Sequence, residues 1–301
     1  MIDPAVIGLR WVQYLAALVA HGLPLFHLYG LRDLTPQPAT RFAAVAGVAL
    51  AAGALGGVIV QTAMMAGDWA AGLDLASLSY VVQSTNLGKA HVVRAGLAFS
   101  GVVALLTSSQ HGLGSIFAIL AFAGAVATFA WSGHGAASEG AAGLVHLVSD
   151  IVHLLAAALW LGALAGFCLL LTGPRKSEIR RMARALAEFS AIGTGAVTVL
   201  VVTGLLNAGF LVGADGLGLI MGSSWGVLLI AKLLLFTLML GLAAHNRFNL
   251  TPALSRAVEG GAATHDPIQR LKVSVGLEML AGAALLGLVA AIGVQMPPTS
   301  M

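Results

Sequence analysis

Residues Gly143–Leu171 read GLVHLVSDIVHLLAAALWLGALAGFCLLL, and no soluble fold accommodates them. The stretch holds no Lys, Arg or Glu, and its apolar residues run on without the strict alternation of a half-buried strand. At 1.5 Å per residue a helix needs about 20 mostly apolar residues to cross a bilayer core. Seven more such runs flank it, at about 4–31, 41–65, 88–107, 113–131, 185–212, 224–245 and 274–295. Helix breakers separate them, among them Thr35-Pro36-Gln37-Pro38, Gly67-Asp68 and Thr251-Pro252. The sequence therefore predicts an all-α chain: a polytopic membrane bundle of eight transmembrane helices, with residues 1–301 forming a single membrane domain.

Composition agrees. The 301 residues are 58% hydrophobic and 9% charged, where a soluble domain carries about 25% charged residues. An ordinary soluble enzyme is excluded. Thirty-eight glycines suit close helix packing in lipid better than a β-barrel. The first run could imitate a signal peptide, but it is long, begins with Asp3 and Pro4 and has no clean small-residue cleavage site, so it is read as a helix. The single cysteine, Cys168, leaves no intramolecular disulfide and no CxxC metal motif.

Of the 15 Lys and Arg residues, eleven fall in the loops after the first, third, fifth and seventh spans. The positive-inside rule makes those loops cytoplasmic and both termini periplasmic. Orientation thus explains the net charge of +3 without nucleic acid. No P-loop or Gly-rich nucleotide signature is present, so no ATP is expected, and the chain is read as a non-enzyme. The outer loop at 66–88, with Trp69, Leu73, Leu75, Leu78 and Tyr80, is expected to hold a short interfacial helix.

Polar groups inside spans are expensive and mark function by default. The densest set is His146, Asp150 and His153, at i, i+4 and i+7 on one face of the fifth span, descending from its outer end. Two imidazoles and a carboxylate suit a transition metal such as copper, zinc, iron or nickel. The plainer alternative is an interfacial His146 with Asp150 paired structurally to another helix. His134, on the Gly-rich outer turn Trp131–Glu139, can fold back over the mouth of this stripe. Met64 and Met65, at the outer end of the second span, add soft thioethers of the kind that select Cu(I). His91 shares the start of the third span with Asn86, Lys89 and Arg94; the two cations Lys89 and Arg94 disfavour a bound cation there and make a structural or gating role the alternative. His21 and His27 lie in the inner half of the first span. Lys232 and Glu278 each need a partner, and the reading pairs Lys232 with Asp150 and Glu278 with Arg247.

Two separated motifs carry a family resemblance. Ser132-Gly133-His134-Gly135-Ala136-Ala137, followed by Asp150-Ile151-Val152-His153 through Trp160 to Leu164, forms the first. Lys232-Leu233 through Phe236, Asn246-Arg247-Phe248, Leu250-Thr251-Pro252, Ser274 and Glu278 form the second. Together they resemble the CopD/PcoD copper-resistance membrane proteins, with a CopD-like core at about 130–295. The resemblance implies a multi-pass protein of the bacterial inner membrane that binds copper ion at its periplasmic face. It further implies that a periplasmic CopC-type copper-binding protein is the partner and that copper moves toward the cytoplasm. The family's motif residues carry over onto His134 and His153, with Asp150 and Trp160; His146 joins them on helical geometry. No fused periplasmic copper-binding domain is read in the chain, so high-affinity capture is expected of the partner. The rival expectation is a b-type haem electron carrier or metal reductase, for which His21, His27, His91, His146 and His153 could supply axial ligands.

Overall fold

The computed structural model describes residues 3–30, 37–108, 112–133, 140–172, 176–212 and 222–295. Ten α-helices are described: α1 Asp3–Gly30, α2 Gln37–Ala66, α3 Leu75–Ser84, α4 Asn86–Thr107, α5 Leu113–Ala127, α6 Gly140–Leu171, α7 Lys176–Val212, α8 Ser224–His245, α9 Thr251–Glu259 and α10 His265–Ile292. No strand occurs among the described residues. Eight helices are long and apolar enough to cross a membrane, as the sequence predicts.

α1 is the hinge of the arrangement. It packs on α2, α5, α6 and α10, so it joins a group of α1, α2, α4 and α5 to a group of α6, α7, α8 and α10. Where α1 crosses α6, Gly22 meets Gly162: a Cβ built on Gly22 would lie 2.3 Å from the Gly162 Cα and 2.7 Å from the Ala158 carbonyl oxygen. With little hydrophobic force between helices in lipid, such small-residue contacts allow the backbone approach that holds a bundle together. Phe26, one turn below Gly22, fills the same seam by edge contact with Phe167 at 4.7 Å between ring centroids.

Helix ends differ from the sequence reading on the basic side. The sixth span, expected from 185, begins at Lys176, and the eighth, expected from 274, begins at His265. Arg180, Arg181, Arg184, Arg270 and Lys272 are good helix formers, so each helix continues into water beyond the length that lipid requires. A π-helical turn at Asn246–Leu250 and the amphipathic α9 fill a connection in which the sequence reading placed no element. The loop at 66–88 does contain a short helix, α3. Asp74 caps it by accepting from the Ser77 amide and hydroxyl, both at 2.8 Å. Those bonds hold its carboxyl below the usual carboxylate range. Leu73, Leu75 and Tyr80 are exposed beside it, as an interfacial segment requires.

Candidate functional site

The α6 stripe faces α7, and the two antiparallel helices present matched spacings. His146, Asp150 and His153 of α6 meet Phe210, Asn207 and Thr203 of α7, which fall at i+7, i+4 and i of their own helix. The His146 ring stacks on Phe210 at 4.6 Å and 9° between planes. Asn207 Nδ2 donates to Asp150 Oδ1 at 3.4 Å, a long bond, and His153 Nδ1 lies 2.9 Å from Thr203 Oγ1. Thr203 Oγ1 gives its own proton to the Val199 carbonyl at 2.6 Å, so it accepts from His153 Nδ1–H. The neutral His153 ring then carries its lone pair on Nε2, the atom a metal would take. Asn207 Oδ1 is buried without a hydrogen-bond partner. The seam between α6 and α7 thus gathers a carboxylate, an amide oxygen and an imidazole lone pair.

Lys232 of α8 is half-buried and close enough for its charge to act on both Asp150 and His153, though it forms no ion pair with Asp150 within 4 Å, contrary to the pairing expected from the sequence. The stripe is a partial constellation. Among the described residues no three His, Cys, Asp or Glu side chains converge on one point, because i to i+7 on a single helix spans about 10 Å. His134 lies outside the described residues. Met64 and Met65 are 37% and 63% exposed at the end of α2. α2 packs mainly on α1 and α4, so the methionines are not brought to the stripe.

A second polar centre, between α1, α4 and α5, joins Arg94 to residues that the sequence reading passed over. Arg94 is 1% exposed and donates to Thr128 Oγ1 at 2.9 Å, Gln13 Oε1 at 2.8 Å and Ser132 Oγ at 2.8 Å. Its guanidinium lies 3.6 Å over the Phe129 ring. Arg10 adds bonds to the Ser132 carbonyl at 3.2 Å and the Gly293 carbonyl at 3.0 Å. Two arginines therefore grip Ser132, two residues before His134. Arg10 and Gln13 are a polar pair at i and i+3 in the outer half of the first span, the signal that could have found them. We expect Arg94→Lys to weaken copper binding about ten-fold, the usual effect of loosening an outer support, with the helical content kept. Unchanged affinity in a competition titration would show that the grip on Ser132 does not matter for binding.

The third centre corrects an expectation. Glu278, 1% exposed, accepts from Trp160 Nε1 at 3.1 Å and Asn246 Nδ2 at 2.9 Å. It does not pair with Arg247, which turns away to donate to Thr194 Oγ1. The π-helical turn is the reason, since it points Asn246 inward and leaves Arg247 exposed. Trp160 from the first motif and Asn246 and Glu278 from the second therefore meet at one carboxylate, at the edge of a cavity of about 210 Å³.

Comparison with known proteins places the chain in a family. Residues 1–144 match the family model for the copper resistance protein D-like N-terminal domain, and residues 183–292 match that for copper resistance protein D. The chain is 34% identical to copper resistance protein D of Pseudomonas syringae pv. tomato over 311 aligned positions, covering 99% of this chain and 98% of the relative. This chain belongs to the copper resistance protein D family. With its eight long apolar helices, it is a multi-pass inner-membrane protein. Inner membrane protein YebZ of Escherichia coli (strain K12) is 30% identical over 152 residues, half of each chain. No solved structure matches this chain.

Proposed function

We propose that this chain binds copper at its periplasmic face and passes it across the inner membrane toward the cytoplasm, taking it from a periplasmic CopC-type copper-binding protein. The chain acts as a carrier rather than an enzyme, and copper is its cargo. The observation that carries this reading is the α6/α7 seam, where Asp150, Asn207 Oδ1 and His153 Nε2 offer lone pairs and Lys232 is the nearby cation. Imidazole and carboxylate together suit copper, and Thr203 fixes the imidazole as an outer-shell partner would. Family membership supports copper as the cargo. Orientation rests on the basic residues: Arg180, Arg181, Arg184, Arg256, Arg270 and Lys272 lie on one side of the bundle and make that side cytoplasmic, with both termini periplasmic. His134, two residues beyond the arginine-held Ser132, supplies the outer ligand.

Copper stoichiometry and affinity of the purified protein test the site. The His134→Ala, His153→Ala double variant should lose at least one copper equivalent; unchanged stoichiometry would remove both residues from the site. Copper uptake into proteoliposomes tests transport, with copper delivered on the periplasmic protein. The haem reading needs two histidines that face each other across helices. Here His21 bonds the Ile119 carbonyl of α5, His91 the Leu87 carbonyl of its own helix and His153 Thr203 of α7, so these three occupy three different seams.

A further inference from the structure

The Glu278 carboxylate has no role in the copper seam, yet it is among the most buried charged groups described. A carboxylate at this depth is expensive unless it is paired or fully hydrogen-bonded. Its partners are both neutral: the Trp160 indole N–H and the Asn246 amide. Among the described residues no cation lies within 4 Å of it. Beside it two oxygens lack hydrogen-bond partners, Asn246 Oδ1 and the hydroxyl of Ser274, one turn earlier on α10. Both residues are more than nine-tenths buried.

This arrangement has spare acceptors and no bound charge to satisfy them. Each carboxylate oxygen already accepts one hydrogen bond, so a proton added to Oε2 needs a new acceptor. Rotation of the Asn246 amide by 180° brings Oδ1 to Oε2 and supplies that acceptor, because the two ends of the amide have nearly the same shape and opposite polarity. The site therefore has two hydrogen-bonded forms, one for the anion and one for the acid, related by a single side-chain turn.

Access follows from the cavity. It runs from buried Glu278 and Asn246 past Gly193 and Thr194 to Arg247 and Phe248, both exposed. The residues of α7 and α8 that line it carry no ionisable group. Arg247 stands on the turn, and the Cys168 thiol of α6 lies within electrostatic reach of Glu278. Of the α1 histidines, His21 is engaged with Ile119, and His27 lines a separate recess beside α2. The oxygen donors and the guanidinium at the mouth do not suit a copper ion, which favours imidazole and sulfur.

We infer that Glu278 is a proton-binding site reached from the cytoplasmic side through the cavity between α7 and α8. It takes one proton from water in that cavity, with Asn246 turning to accept it, and gives that proton up on the opposite side as copper moves inward. Its direction, and the exchange of this proton against inward-moving copper, rest on the transport reading above.

Two measurements separate the two claims. The first is an infrared pH titration of the protein in nanodiscs, following the C=O stretch of a protonated carboxyl group. The wild type should show a titrating band that Glu278→Gln lacks and that Asn246→Leu shifts in pH. A band unchanged in Glu278→Gln, or insensitive to Asn246→Leu if the glutamine variant does not fold, would overturn the proton site whatever the protein transports. The second is copper uptake into proteoliposomes containing a pH-sensitive dye. Wild-type uptake should change the internal pH and respond to an imposed pH gradient. Glu278→Gln should still bind copper but lose both effects. Copper uptake with no proton movement in the wild type would overturn the coupling. No copper uptake by the wild type would instead overturn the transport reading and leave the infrared result to decide the site.

Discussion

Gly162→Ala lowers the thermal stability of the protein in detergent or nanodiscs, and we expect a loss of about 3 kcal/mol or more. The added Cβ would stand 2.2 Å from the Gly22 Cα and 2.8 Å from the Gly22 carbonyl carbon. Overpacking against side chains usually costs about 1–3 kcal/mol, because rotamers can shift. Here the atoms met are backbone on both helices, so relief requires α1 and α6 to separate. That separation would also loosen Phe26 against Phe167 and turn the face that α6 presents to α7. Copper binding should therefore fall together with the melting temperature. Gly195→Ala and Gly241→Ala are the controls: a Cβ at either meets nothing within 4 Å. Each should be neutral or gain up to about 1 kcal/mol from helix propensity. A Gly162→Ala protein that melts with the wild type would show that the contact at Gly22 is looser than the structure has it.

The spans were legible because lipid imposes a single requirement of length and apolarity. α8 begins and ends at 224 and 245, as its hydropathy alone predicts. What hydropathy cannot mark is the end of a helix that has already left the membrane. Arg180 to Arg184 look like a loop when charge is taken as the boundary, yet they are helical residues of α7. The same blindness hid the turn at Asn246–Leu250. Its five residues follow α8 without a glycine, and the proline at 252 falls inside α9 near its first turn, where it is tolerated.

The site was legible along helices and not between them. His146, Asp150 and His153 declare themselves by spacing on α6, whereas Lys232 comes within electrostatic reach of Asp150 without forming the ion pair expected of it. Their partners on α7 were missed although Thr203, Asn207 and Phe210 repeat the same spacing. A search for polar residues at i and i+4 on the neighbouring antiparallel span would have found Thr203 and Asn207. Glu278 shows the opposite failure. Equal depth suggested Arg247, but depth says nothing about azimuth, and the π-helical turn gives the inward position to Asn246. Arg94 was recognised as polar, but its grip on Ser132 depends on a 3₁₀ turn at Thr128–Ser132 that no periodicity announces.

Lys232→Met should tighten copper binding while it destabilises the empty protein. The ammonium lies within electrostatic reach of Asp150 and His153, so it repels any cation held between them. At an effective dielectric of about 20, a unit charge within such reach contributes on the order of 1–2 kcal/mol. Removing it should lower Kd by about ten-fold. The same removal leaves Asp150 with only the long bond from Asn207, and an undercompensated half-buried carboxylate costs about 1–3 kcal/mol. The melting temperature of the copper-free variant should therefore fall, and added copper should raise it by more than in the wild type. The Asp150→Asn, Lys232→Met double variant decides between this account and simple damage: it should recover copper-free stability and lose the gain in affinity. Uptake by Lys232→Met should be slower despite tighter binding, because a carrier must release what it binds. If Lys232→Met binds copper less well than the wild type, the lysine supports the site instead of opposing its cargo, and the α6/α7 seam is not where copper sits.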